Sequence, residues 1–124
     1  MGDRSNVVVQ DRSKKERVYL YMHWGGTDYI NILATALNRA KDRWDDAAYI
    51  ARVIFCDMIR GSLDTTTGYG ISTKLCDNEY PLLVLDCKNQ RVNLETEKGD
   101  IILSQEIEYF LAHTKEYLKK VEDR

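Results

Sequence analysis

Runs of apolar residues mark three candidate strands along the chain. Val18 to Trp24 is dense in β-branched and aromatic residues, which predicts a strand. Leu82 to Leu85 follows Pro81, a residue that can open a strand but does not fit inside one. A hairpin turn then leads to a return strand over residues 91–94. A further short strand is expected near Ile71, at the end of a turn-rich segment.

Apolar residues recur at helical spacing in three other segments. Thr27 is expected to cap a first helix that ends near Lys41. Asp45 is expected to cap a second helix, which ends before Gly61. Ser104 is expected to cap the last helix, which has the clearest apolar stripe. The residues of that stripe are Ile107, Phe110, Leu111, Thr114, Leu118 and Val121.

The order of these elements predicts an α+β domain. Strands and helices do not alternate along the chain, which disfavours a parallel sheet of the Rossmann type. We expect a small, mostly antiparallel sheet of about four strands with three helices packed against it. Residues 1–16 are polar apart from Val7, Val8 and Val9, and are expected to form a polar N-terminal tail or a short edge strand. Residues 17–124 then form the single globular domain.

Composition narrows the class of protein. The chain of 124 residues has 18 basic and 20 acidic residues, which argues against a nucleic-acid-binding protein. Its apolar runs are too short to span a membrane, and its polar start lacks the apolar region of a secretory signal. The 3 cysteines have no CxxC spacing, which indicates reduced thiols in a cytoplasmic protein rather than a disulfide framework or a zinc site.

One string combines features of a ligand site. His23 ends the first strand, and Gly25-Gly26 lead into the helix start at Thr27. Glycines let a ligand approach the backbone, and the amides of a first helical turn can bind an anion. His23 could add a proton donor. The alternative is a tight strand-to-helix turn in which His23 is held by a hydrogen bond, because the string matches neither GxGxxG nor a P-loop.

Aromatic residues suggest a recognition surface. Tyr69 lies between two glycines in a loop, and together with Trp24 and Trp44 it would make a binding face of the kind tyrosine and tryptophan favour. Core packing of both tryptophans is the alternative. A hydrolase would need His23 beside a thiol or a carboxylate, and no sequence signature supports that pairing. We therefore assign no catalytic residue, metal ligand or cofactor.

Three strings taken in order support a family resemblance. They are Met22-His23-Trp24-Gly25-Gly26, then Arg43-Trp44-Asp45-Asp46, and then Gly68-Tyr69-Gly70-Ile71-Ser72 followed by Asp77-Asn78-Glu79-Tyr80-Pro81. Between Arg17 and Leu94 the chain resembles a group of small uncharacterised proteins encoded by bacteriophages and prophages. The resemblance implies a small protein made in the cytoplasm of an infected bacterium, and it brings no functional residue with it.

The leading hypothesis is a phage-encoded, non-enzymatic accessory protein that binds a host protein, for instance as an inhibitor of a bacterial defence system. Two alternatives stay open: a small-molecule (nucleotide-like) binding protein that uses the turn from His23 to Gly26, and a small hydrolase that uses His23. A homodimer through the apolar stripe of the last helix also stays open. The expected ligand- or partner-binding residues are His23, Trp24, Gly25, Gly26, Thr27 and Tyr69.

Overall fold

The computed structural model describes residues 2–13 and 15–123. The strands are β1 (Ser5–Gln10), β2 (Arg17–Met22), β3 (Tyr69–Ser72), β4 (Leu82–Asp86), β5 (Arg91–Glu95) and β6 (Ile101–Glu106). The helices are α1 (Tyr29–Arg39), α2 (Ala47–Met58), α3 (Ile107–Ala112) and α4 (Thr114–Glu122). The expected α+β class is confirmed, but the sheet has six strands and the helices number four among the described residues.

The strands form one mixed sheet in the order β3-β2-β1-β4-β5-β6. Strand β1 pairs antiparallel with β2 and parallel with β4, and the other neighbouring strands are antiparallel. β3 and β6 therefore lie at the two edges of the sheet.

The N-terminal segment is the main correction to the sequence prediction. Val7, Val8 and Val9 are buried in β1, near the middle of the sheet. The expectation of a polar tail over residues 1–16 is wrong, as is the alternative of an edge strand. Three consecutive valines fit a strand that is buried on both faces, and such a strand does not show the alternation of a half-exposed one.

The main core lies between one face of the sheet and the helices. Val7 and Val9 of β1 face this core, together with Leu20 of β2 and Leu83 and Leu85 of β4. The helices contribute buried side chains, the largest being Tyr29, Ile30, Leu33, Leu37, Ile50, Ile54, Phe110 and Tyr117. The apolar stripe of the last helix thus packs mainly in the domain's own core, which does not favour the stripe as a homodimer interface.

The opposite face of the sheet has a smaller apolar cluster of Val8, Leu82 and Val84. Arg17 lies on the same face, where its guanidinium donates to Gln10 Oε1 at 2.9 Å and to the Glu95 carboxylate at 3.1 and 3.2 Å. This ion pair bridges strands β2 and β5 across the apolar cluster.

The helix starts differ from the predicted caps. A short 3₁₀ turn over Gly26–Asp28 precedes α1, and Thr27 lies inside this turn rather than capping the helix. Asp46, not Asp45, caps α2, since its Oδ1 accepts the Tyr49 amide at 3.2 Å.

The last segment was predicted as one helix from Ser104, but Ser104 lies in β6. The turn before β6 explains the difference: Gly99 has φ +95° and donates its amide to the Thr96 carbonyl at 3.0 Å, which folds β6 back onto β5. The helix that follows is divided at His113 into α3 and α4. In the described residues no helix is long and apolar enough to cross a bilayer.

Candidate functional site

The turn from His23 to Gly26 lies against the start of the chain. The Asp3 amide donates to the His23 carbonyl at 2.7 Å, and the Gly26 amide donates to the Asp3 carbonyl at 2.9 Å. Gly26 has φ +54°, and a Cβ there would lie 2.1 Å from Asp3 Oδ2. Any side chain at this position would therefore be strained. The Gly26 amide, one of the groups considered for binding an anion, is bonded to the Asp3 carbonyl, and the Asp3 carboxylate lies beside this glycine.

His23 is oriented by a phenol. Its Nδ1 lies 2.5 Å from the Tyr21 hydroxyl. Burial raises the pKa of Tyr21, and the charge of Asp77 raises it further. The phenol thus stays protonated near neutral pH, and its oxygen can either donate to Nδ1 or accept from it, depending on the tautomer of His23. Nε2 lies against Gly2, where a Cβ would come within 2.7 Å of it.

This arrangement does not favour catalysis by His23. A general base needs a free acceptor nitrogen near a nucleophile or a water, and a hydrolase of the predicted kind needs a carboxylate or a thiol beside the ring. The recorded partner of Nδ1 is a phenol instead. Among residues 2–13 and 15–123, no group of histidine, cysteine, aspartate and glutamate side chains is placed to hold a metal ion.

Trp24 is exposed but held in place. Its side chain is 60% exposed. One side of the indole packs on Gly68, where a Cβ would lie 2.4 Å from Cζ3. The ring also meets His23 edge to face, with centroids 4.6 Å apart and an interplanar angle of 74°. Gly68 itself accepts the His23 amide at 2.9 Å. Trp24 therefore presents a large apolar surface in one orientation.

Gly68, on which Trp24 packs, immediately precedes edge strand β3. The bond from His23 to Gly68 belongs to the ladder in which Tyr21 pairs with Gly70 and Leu20 with Ile71. In an antiparallel ladder, alternate residues direct their amides and carbonyls away from the partner strand. On β3 these are Tyr69 and Ile71. Ile71 is 61% exposed, so its outward backbone groups lie next to an apolar side chain in solvent.

The other predicted site residues are placed less favourably for binding. Tyr69 is half-buried and packs on the main core. Thr27 is half-buried within the 3₁₀ turn, and Gly25 lies against Met22. Trp44 also packs on the core, with its indole N–H donating to the Leu37 carbonyl at 2.9 Å. The predicted face of two tryptophans and Tyr69 is thus reduced to Trp24.

Sequence analysis missed a polar cluster that supports this turn. Arg4 Nε lies 3.2 Å from both Asp77 Oδ2 and Glu79 Oε1, and the Glu79 amide donates to the Arg4 carbonyl at 2.9 Å. The Tyr80 hydroxyl donates to Asp3 Oδ1. The string Asp77-Asn78-Glu79-Tyr80 is among those that support the family resemblance, but its partners Asp3 and Arg4 lie in the segment predicted as a tail.

No protein-family model, curated protein or solved structure matches the chain. The geometry therefore defines the class: an α+β domain whose exposed tryptophan is fixed beside an open sheet edge. None of the five clefts recorded on the described surface is lined by His23, Trp24 or Tyr69. This gives little support for a small-molecule pocket at the turn from His23 to Gly26, because such ligands are usually enclosed.

Proposed function

We propose that this chain is a non-enzymatic binding protein that recognises a protein of the bacterial host, and that an extended segment of the partner adds to β3 as a further strand. The observation that supports this proposal is the exposed Trp24, packed on Gly68 and His23 beside the open edge of β3. Tryptophan is among the residues most enriched at the energetic centres of interfaces. Strand addition to a sheet edge is a recurrent mode of peptide recognition.

The expected contribution of Trp24 is large enough to matter. A tryptophan presents about 250 Å² of surface, so burying its exposed fraction removes about 150 Å² from water, worth about 4 kcal/mol. The contacts with Gly68 and His23 already fix the ring, so little side-chain entropy is lost on binding. A loss of this size corresponds to a change in Kd of about several hundredfold.

The choice of a bacterial host protein as the partner rests on the resemblance of the strings between Arg17 and Leu94 to small proteins encoded by bacteriophages and prophages. A protein made in the cytoplasm of an infected bacterium could inhibit a host defence protein by binding alone, without catalysis. We therefore propose inhibition of a defence system as the purpose of the complex. The hydrolase alternative has less support, because the partner of His23 Nδ1 is the Tyr21 hydroxyl rather than a carboxylate or a thiol.

The test is affinity capture from the bacterial lysate followed by measurement of Kd for the captured protein. Trp24→Ala should weaken binding by about a hundredfold or more. Ile71→Lys should also prevent binding, because a charge at the middle of an edge strand opposes strand addition. Ile101→Ala and Ile101→Lys are matched controls, since Ile101 is 60% exposed and lies on β6 at the opposite edge.

Substitutions at the β3 edge and at the β6 edge should have different effects on Kd. The Ile101 variants should bind as the unmodified protein does, and all variants should keep its circular dichroism spectrum. A captured protein that binds Trp24→Ala and Ile71→Lys with unchanged affinity would refute the proposal. Loss of binding in the Ile101 variants alone would assign the interface to β6 instead.

A further inference from the structure

A second surface, formed by residues other than those of the β3 edge, brings three arginine side chains together. A cleft of about 400 Å³ is formed by α1, α2 and the turn that follows α2. Its lining residues are Arg39, Arg52, Cys56, Ile59, Arg60, Gly61 and Leu63. The protein as a whole has a net charge of −2, so this concentration of positive charge is a local feature.

Two of the arginines are positioned by one buried carboxylate. The side chain of Asp57 is 3% exposed and forms ion pairs with Arg60 and with Arg39, whose Nε lies 3.3 Å from Oδ2. Asp57 Oδ2 has no hydrogen bond among the described residues, so the contact with Arg39 is an electrostatic one. Because Arg39 belongs to α1 and Arg60 follows α2, the carboxylate fixes two guanidinium groups from different elements beside one cleft.

The third arginine has different neighbours. Arg52 Nη1 lies 3.7 Å from the Cys56 sulfur, and its guanidinium lies 5.4 Å from the centre of the Tyr49 ring. In the part of the chain that the structure describes, no carboxylate is recorded as its ion-pair partner. Three arginines beside a single carboxylate leave two positive charges in excess, which matches the charge of a phosphate monoester near neutral pH.

We propose that this arginine cleft binds a small molecule in which phosphate groups are joined to an apolar or aromatic ring, as in a nucleotide. Guanidinium groups donate paired hydrogen bonds that match phosphate oxygens. Ile59 and Leu63 give the ring an apolar wall, and Leu63 is 77% exposed. The size of the cleft lies within the range of small-molecule sites. This site is independent of the β3 edge.

The first test is calorimetric titration with pyrophosphate and with adenosine triphosphate at low ionic strength, where charge attraction is least screened. Both probes should bind the unmodified protein, and adenosine triphosphate should bind more tightly because its base contacts the apolar wall. Arg52→Gln should weaken binding about 10- to 100-fold through the lost charge-assisted hydrogen bonds. Arg12→Gln is the control, since Arg12 lies outside the cleft and is paired with Asp45 at 4.0 Å.

Several results would overturn the proposal. These are no binding of either probe at millimolar concentration, equal affinity of Arg52→Gln and the unmodified protein, or an equal loss of affinity in Arg12→Gln. Binding of a polyglutamate peptide without binding of either phosphate probe would also overturn it, in favour of an acidic protein partner.

The second test uses the cysteines, which are free thiols. Cys56 lines the cleft and Cys76 is exposed elsewhere, so the rates at which iodoacetamide alkylates them can be compared in one sample by mass spectrometry. A saturating concentration of adenosine triphosphate should slow alkylation of Cys56 at least fivefold and leave Cys76 unchanged. Equal slowing of both thiols, no slowing of either, or a Cys56 that does not react in the free protein would contradict a ligand in an open cleft.

Discussion

Replacing Val8 with alanine tests whether the N-terminal strand is part of the folded core. Val8 is fully buried and lies between Tyr19 of β2 and Val84 of β4. The substitution removes two methyl-equivalent groups, which lowers the free energy of unfolding by about 1.6 kcal/mol through lost burial. The cavity left behind raises the loss to about 2–3 kcal/mol, because the surrounding strands cannot fully close around it. A residue in a mobile tail would change stability by less than about 0.5 kcal/mol.

Urea denaturation followed by circular dichroism measures this difference. With a slope of about 2 kcal/mol per molar urea, the midpoint should fall by about 1–1.5 M. Val7→Ala should have a similar effect, since Val7 is also fully buried but faces the helices. Lys15→Ala, in the exposed turn after β1, is the control and should leave the midpoint unchanged. A midpoint for Val8→Ala within 0.25 M of the unmodified protein would refute the placement of β1 in the sheet.

Three further predictions concern buried and constrained groups. Gly26→Ala should lower the free energy of unfolding by about 2–4 kcal/mol, because the new Cβ both strains the backbone and pushes the Asp3 side chain aside. Gly99 has φ +95° but open space around it, so Gly99→Ala should lower the free energy of unfolding by only about 1–2 kcal/mol through backbone strain. Equal decreases for the two variants in urea denaturation would contradict this reasoning. Burial raises the pKa of Cys87 to about 12, so iodoacetamide at pH 8 should alkylate Cys76 and not Cys87. In the unfolded chain this thiol loses its proton near pH 9, whereas in the folded protein it keeps the proton up to about pH 12. The stability that Cys87 contributes should therefore be lost as pH rises from 9 towards 12. The urea midpoint should accordingly be lower at pH 10 than at pH 8. Tyr117→Phe should cost about 1–3 kcal/mol by removing the buried hydrogen bond to the Val92 carbonyl at 2.6 Å, whereas Tyr49→Phe, at the surface, should be neutral in thermal unfolding.

Sequence patterns predict those helices and strands whose apolar spacing and end residues lie within the element itself. The first helices and the strands β2, β4 and β5 have apolar periodicity bounded by glycine, proline or a turn. Strand β1 lacks such alternation because both of its faces are buried, and its charged surroundings resemble a tail. The helix predicted from Ser104 overlaps the second half of β6, and Ile101, Ile102 and Leu103 have no predicted element, because a run of three apolar residues is too short to indicate a strand.

Candidate sites depended on pairings between distant segments. The sequence shows Trp24 beside two glycines, but the indole packs on Gly68, which meets it only when β3 pairs with β2. Helical spacing places Arg52, Cys56 and Arg60 along one side of α2 and its end. Arg39 lies on α1 and joins this group through its ion pair with the buried Asp57 of α2. Helical periodicity does not predict how α1 packs on α2, so it does not predict this contact.

The parallel pairing of β1 with β4 affects the chain during its synthesis. β1 is complete at Gln10, whereas β4 begins only at Leu82. At about 5–20 residues per second, a ribosome needs about 4–14 s to make the intervening segment. The hairpin of β1 and β2 can form within about 10 μs, so its valine-rich edge waits for seconds without a partner strand. Such an edge can pair with another nascent chain. Aggregates formed during strong expression would therefore reflect the order in which the strands leave the ribosome, since in the finished domain the same valines are buried.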